Sequence, residues 1–476
     1  MTPVLITCLL IFHNSVESVF RFHFGIHFTQ AVIHIFPSDG SLQLLILLGL
    51  YANFLVLEWS KQWLPANRNS ADRPGINFRL MVMGNWESSL FSTLVLISGI
   101  HFVSGSGERR LSDLALPLAW GLFLLQLFQI HFLFVSRRKG LQNGVLPALL
   151  VLATAIAVGT LSDPRGGFAY FYQERERLRG TWLDPNTLGL FAGIGIIITI
   201  GILLSIAKRK PIQTGSVQGH TSRINIFFVF WSSIILVVLV YGLLFSYSRG
   251  AWLGTITGLI WLGLRGTSFQ SFHEESGFLS QLKNRRRILL CFIIVTGFVF
   301  SIGIGQFSEH SLLRRVASIG NTYDFSWRNR LSSYNGSLRM ISDKPLIGWG
   351  SADLQTVYWN YYKPKRIVEP EALKTNDFFR IGPSFGFPFL CLFAGGLFFR
   401  VFPHCNSPRS TQNSAQEASY FFHRFQTISR SALIVLIFGF WFNGGLFEIP
   451  LASLFWLLMA FSGNMPAFNC AVSEGD

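Results

Sequence analysis

Charge is scarce in this chain, and negative charge scarcer still. Of its 476 residues only 13% are Asp, Glu, Lys or Arg, against roughly 25% in soluble globular domains. Half are hydrophobic. That composition excludes an ordinary water-soluble multidomain enzyme, a disordered chain and a disulfide scaffold. The cysteines (Cys8, Cys291, Cys391, Cys405 and Cys470) are scattered, with no CxxC pair. This argues against structural zinc and leaves the redox compartment open. There is no Walker loop and no GxGxxG following a strand, and His273-Glu274-Glu275 does not make HExxH. Ser280-Gln281-Leu282-Lys283 satisfies SxxK in form only, inside a basic loop where the pattern arises by chance. No internal repeat suggests a transporter with inverted halves. His23, His27 and His34 share a helical face, a spacing open to metal ligation that better suits an amphipathic leader.

What the chain has in abundance is apolar length. A spanning helix needs about 20 mostly apolar residues. Such segments fall near 41–59, 88–104, 114–135, 145–161, 187–207, 224–247, 250–264, 288–305, 383–401, 431–446 and 449–463. Residues 1–40 are atypical and could hold a first span, retained because no small-residue cleavage site follows. Runs such as Gly193 to Ile206 are apolar on every side, whereas barrel strands alternate. The expectation is therefore an all-α polytopic membrane protein of about 11–12 spans. Gly189-xxx-Gly193, with Gly201 beyond, allows close helix contact, although glycine is frequent in any membrane helix.

The chain carries 39 Lys and Arg against 24 Asp and Glu. In a membrane protein such an excess belongs to cytoplasmic loops rather than to nucleic-acid binding. The basic loops at 60–87, 136–144, 208–223, 265–287 and 402–430 all fall on one side in one orientation. The domain plan is then 1–40 atypical, 41–305 transmembrane, 306–382 a large external loop, 383–463 transmembrane and 464–476 a cytoplasmic tail.

Three features on the external side are candidates for chemistry. In Ser246-Tyr247-Ser248-Arg249-Gly250-Ala251, an arginine sits between two spans with almost no loop. Ionised groups at such depth face a cavity or a partner, or else snorkel to headgroups. The loop 306–382 interleaves arginine with aromatics, among them Arg328, Arg330, Tyr334, Trp349 and Tyr358. Guanidinium forks suit phosphate oxygens and aromatic rings suit sugar faces or the interface; a solvated cap over anionic headgroups would look similar. Arg179-Gly180-Thr181-Trp182-Leu183-Asp184-Pro185-Asn186 reads first as a helix start, with Asp184 or Asn186 near the cap.

Four short elements, in this order, resemble the family of O-antigen ligases and polysaccharide polymerases over roughly 145–463. They are Trp182-Leu183-Asp184-Pro185-Asn186; Ser246 to Ala251; Arg330 through Ser337, Leu338 and Ile341 to Asp343-Lys344-Pro345-Leu346-Ile347-Gly348-Trp349-Gly350; and Asn376-Asp377-Phe378-Phe379 leading to Phe385-Gly386-Phe387. The resemblance implies transfer of a glycan from undecaprenyl diphosphate to a hydroxyl acceptor at the periplasmic face of a bacterial inner membrane. The acceptor is a lipid A core sugar in ligases and another repeat unit in polymerases. It implies no nucleotide, metal or other cofactor, because the carrier diphosphate is itself the leaving group. By motif match, Arg249 and Arg330 would hold that diphosphate, with Arg328, Asn186 and Asn376 as neighbouring substrate contacts.

One departure stands out. The family places His-Asn before its last external helix, and the histidine is assigned as base for the acceptor. Here the stretch is Lys374-Thr375-Asn376-Asp377, with Thr375 in the histidine position. Threonine is a poor base near neutrality, so Asp377 is the expected replacement, with Glu369, Glu371 and Glu448 as further carboxylates. A non-catalytic member of the fold, or a transporter, remain alternatives. The transporter reading asks for ionisable groups at mid-span, where the sequence has almost none.

Overall fold

The computed structural model describes residues 86–104, 138–162, 169–172, 175–182, 184–207, 218–268, 325–351, 354–363, 373, 376–402 and 413–462. The atypical N-terminal segment, the apolar runs 41–59, 114–135 and 288–305, much of the loop 306–382 (with Thr375) and the tail 464–476 lie outside the described residues.

Apolar residues with no in–out alternation give helices, and helices dominate. They are α1 (Trp86–Ser104), α2 (Arg138–Leu161), α3 (Pro185–Ala207), α4 (Gln218–Phe245), α5 (Arg249–Ser268), α6 (Phe325–Asp343), α7 (Leu354–Val357, continuing into a π-turn Tyr358–Tyr362), α8 (Phe378–Phe385), α9 (Phe387–Val401), α10 (Asn413–Phe442) and α11 (Ile449–Ser462). One hairpin interrupts them, with β1 (Ala169–Tyr172) antiparallel to β2 (Arg175–Leu178). Apart from this hairpin, the expected helical membrane architecture is what the structure shows. Among the described residues, Pro185–Ile206, Ile226–Phe245 and His423–Phe442 are long and apolar enough to cross a membrane. Leu146–Leu161, Phe387–Val401 and Pro450–Met459 are shorter apolar helices.

Helix α3 is the axis of the bundle. Leu188, Leu190, Phe191, Ile194, Ile197 and Ile202 are wholly buried, and α2, α4, α5 and α10 pack around it. Helix α4 behaves oppositely, leaving Ile226, Phe230 and Val237 more than 60% exposed. In water such a face would be a liability; against lipid it costs nothing.

Glycines set the close contacts. Gly189 and Gly193 of α3 face Ser246 and Ser248, just before α5, and Ala251 and Thr255 in its first turns. Gly250, Gly254 and Gly258, one turn apart along α5, lie against α10: a Cβ at Gly254 would sit 3.0 Å from the Val435 carbonyl oxygen, and one at Gly258 only 2.7 Å from that of Ser431. Where no hydrophobic effect drives helices together, such backbone approach supplies the van der Waals contact that does.

Two boundaries differ from expectation. The span expected at 431–446 belongs to a helix that already begins at Asn413, so much of the expected loop 402–430 is helical. Polar residues hid it: Gln426, Thr427, Ser429 and Arg430 are buried. Arg430 donates through Nε and Nη2 to the Ser462 carbonyl at the end of α11, at 3.1 and 2.9 Å. The span expected at 383–401 begins instead as α8, breaks at Gly386 (φ 86°) and restarts as α9.

Bulk on the α5 stripe should separate α5 from α10. Gly258→Leu is expected to destabilise the protein by about 1–3 kcal/mol, the usual cost of overpacking. The check is a several-degree fall in melting temperature in detergent, with Gly263→Leu, where a Cβ meets nothing within 4 Å, as the control that leaves it unchanged.

Candidate functional site

The site assembles where one end of the bundle meets the segments that precede α3 and α9. Its first part is the three-residue connection between α4 and α5. Ser246 N–H and Oγ–H donate to the carbonyls of Gly242 and Leu243, at 3.0 and 2.7 Å. Ser248 N–H donates to Ser246 Oγ at 3.2 Å. Tyr247 takes φ 50°, a backbone region that L residues seldom occupy. This tight turn delivers Arg249, half-buried, as the first residue of α5. A helix N-terminus favours anions through its free N–H groups and its dipole, and here a guanidinium stands on it.

The second part is α6, which carries Arg330, half-buried. Helix α6 is fixed at two points. One turn after Arg330, Tyr334 stacks on Phe379 with ring centroids 4.4 Å apart and donates its hydroxyl to the Trp441 carbonyl at 3.3 Å. Beyond its other end, Pro345 to Gly350 lies backbone to backbone on the α8–α9 break. Trp349 N–H donates to the Pro383 carbonyl at 2.8 Å, Gly350 N–H to that of Ser384 at 3.0 Å, and Phe387 N–H to that of Pro345 at 2.8 Å. Gly348 (φ 70°) has no room for a Cβ, which would lie 2.5 Å from the Pro383 oxygen. The Pro-Leu-Ile-Gly-Trp-Gly motif thus holds α6 against the break between α8 and α9.

The third part is the end of α10, where the others meet. Asn376 Nδ2 donates to the Trp441 carbonyl at 2.8 Å, and its Oδ1 accepts from Phe379 N–H at 3.1 Å, capping α8. Asp377 N–H donates to the Phe440 carbonyl at 2.8 Å. Two residues past Trp441, Asn443 Nδ2 donates to Ser248 Oγ at 3.2 Å, next to Arg249. The elements bearing the two expected arginines are therefore joined through Trp441 and Asn443. Arg328 stands on α6, two residues before Arg330.

Asp377 is only 1% exposed and stands ahead of α8, outside the spanning helices. Its Oδ2 accepts from Leu446 N–H at 2.7 Å, while Oδ1 has no hydrogen bond. Burial pushes its carboxyl up to about 7, and exposed Glu448 adds to the rise, while the Leu446 N–H and Arg380 oppose it. Arg380 itself lies over the Phe447 ring at 3.9 Å.

Asn186, an expected substrate contact, is bonded within the protein: its Oδ1 accepts from Arg177 Nη2 at 2.9 Å. Asp184 caps α3 through Oδ2, which accepts from the Thr187 N–H and hydroxyl at 2.8 and 2.9 Å. The residue that the sequence did not single out is Arg177 itself, 8% exposed, whose Nε donates to the Ser246 carbonyl at 2.9 Å. Among the described residues no cluster of His, Cys, Asp and Glu could hold a metal ion.

This arrangement of a cation on a helix start, a second on a neighbouring helix and a buried carboxyl suits anion binding beside proton transfer. Residues 234–394 match the O-antigen ligase family. The comparison with curated proteins gives no match. The family match takes in the Ser246–Ala251, Arg330–Gly350 and Asn376–Phe387 elements; Trp182–Asn186 precedes it. It supports a role of the O-antigen ligase and polymerase kind in envelope polysaccharide synthesis.

The raised Asp377 carboxyl has a consequence for stability. The folded protein holds this proton up to about pH 7, whereas the unfolded chain releases it near 4. The contribution is complete below about pH 4 and is lost as pH rises through 7. The melting temperature is expected to fall between pH 5 and pH 8. Asp377→Asn keeps an acceptor for Leu446 N–H without the charge, so its pH slope should be flatter. A wild-type slope of the opposite sign, or an unchanged slope in the variant, would contradict the assignment.

Proposed function

We propose that this protein transfers a glycan from a polyprenyl diphosphate to a hydroxyl acceptor, with the site facing the periplasm of a bacterial inner membrane. The observation that carries the reading is the junction at Trp441 and Asn443, which ties the Arg249 turn to the helix of Arg330. Arg249 and Arg330 hold the diphosphate, with Arg328 beside them. The acceptor oxygen attacks the anomeric carbon, and a new C–O bond forms as the bond from that carbon to the phosphate oxygen breaks. The electron pair leaves on the diphosphate. Fixed cations beside it stabilise a charge that grows in the transition state, so the chemistry asks for neither a nucleotide nor a metal.

The acceptor proton goes to Asp377. A carboxyl near 7 is matched to proton transfer at neutral pH, and Oδ1 is the oxygen without a hydrogen bond. Access requires the segment Gly444 to Glu448 to move. That segment contains two glycines at positive φ, Gly444 at 70° and Gly445 at 128°. Thr375, in the family's histidine position, is a neighbour of this group in sequence and not its equal as a base.

The test uses purified full-length protein in lipid nanodiscs, a polyprenyl-diphosphate glycan and a sugar acceptor. Wild type is expected to transfer. Arg249→Ala and Arg330→Ala are each expected to lose transfer by about 100-fold or more, as when a fixed transition-state donor is removed, with melting temperatures near wild type. Undiminished transfer in both variants defeats the proposal. Donor binding without turnover in wild type would instead identify a non-catalytic member of the fold.

A further inference from the structure

The proposed site uses Arg249 but does not explain what holds it. The turn that presents it has three residues, one of them Tyr247 at φ 50°. Strained backbone persists only where its surroundings over-determine it. Internal bonds supply part of that constraint. Arg177, on β2, reaches the turn from before α3 through the 2.9 Å bond from Nε to the Ser246 carbonyl.

That carbonyl lies just past the end of α4, where backbone acceptors run out of helical donors. The same guanidinium donates through Nη2 to Asn186 Oδ1 at the start of α3, also at 2.9 Å. One planar group thus fixes the distance between the hairpin, the beginning of α3 and the end of α4. Gly189, one turn into α3, faces Ser246, Ser248 and Ala251 across a gap that would not admit a Cβ. The turn is pressed against α3 and latched there.

We propose that Arg177 is a positioning residue for Arg249, with Asn186 as the group that aims it. The inference rests on the diphosphate-holding role given to Arg249 above. It assigns the Asp184-Pro185-Asn186 start a place in the site through bonds that stay within the protein. Lysine cannot replace Arg177, because a single ammonium on a flexible stem does not span two acceptors in a fixed fork.

The experiment compares wild type, Arg177→Lys and Asn186→Ala as full-length protein in nanodiscs. Hydrogen exchange is read over 246–250 and over 333–340 of α6, and donor KM and kcat are read with the polyprenyl-diphosphate glycan. In Arg177→Lys, exchange over 246–250 is expected to speed up while that over 333–340 stays put. A misplaced catalytic cation should lower kcat by about tenfold to a hundredfold, with a smaller change in KM. Asn186→Ala should shift the same peptide in the same direction to a lesser degree, and it stands in if Arg177→Lys does not fold. Unchanged exchange at 246–250, or equal loosening in both segments, overturns the inference. If wild type neither binds nor uses the donor, the proposed function fails, and the exchange measurement still decides whether Arg177 holds the turn.

Discussion

The last carbonyls of α10 are the constraint on which the site depends. A helix leaves its final C=O groups without partners, and near a bilayer no ready supply of water satisfies them. Here the partners come from the chain before α9. Asp377 N–H takes the Phe440 oxygen, while Asn376 Nδ2 and the Tyr334 hydroxyl share that of Trp441. Asn443 N–H closes onto Gly439, and its side chain reaches Ser248. A local need for hydrogen bonds thereby fixes α6, α8 and the turn before α5 relative to one another. Arg330 stands on the first of these, Asp377 immediately precedes the second, and Arg249 immediately follows the third.

The same placement requires α5 and α10 to approach closely, and the glycine stripe permits it. Gly250 meets Phe442 at the level of the site, and Gly258 meets Ser431 two turns deeper. Side chains along this seam would push the end of α10 away from Ser248 and break the link to Arg249. The spacing that looks like a generic membrane-helix feature therefore also serves the site.

The spans near 187–207, 224–247, 250–264 and 449–463 were legible because apolar runs need only length to be recognised, and each lies within a few residues of a helix. The first half of α10 was not, because its polar residues are satisfied inside the bundle; Arg430 serves the end of α11, 32 positions away. The tight turn ahead of Arg249 could be anticipated from two apolar spans with almost no loop between them; that Arg330 stands on a helix could not, since the sequence offered only a long polar loop there. The role of Arg177 could not, since its decisive partner is a backbone carbonyl 69 residues on. Backbone acceptors carry no sequence signature. Asn186 and Asn376, read as substrate contacts, each have a partner within the protein: the Arg177 side chain for Asn186 and the Trp441 carbonyl for Asn376.

Asp184 and Asp377 lie among these cations, and both are committed to donors within the protein. Asp184 spends its Oδ2 on Thr187 at the start of α3. Asp377 directs its Oδ2 to Leu446 N–H, and burial favours its neutral form. Neither needs a guanidinium to be satisfied. Placing these two acids on N–H groups, with Asp377 buried so that its neutral form is favoured, limits the negative charge they add to this end of the bundle.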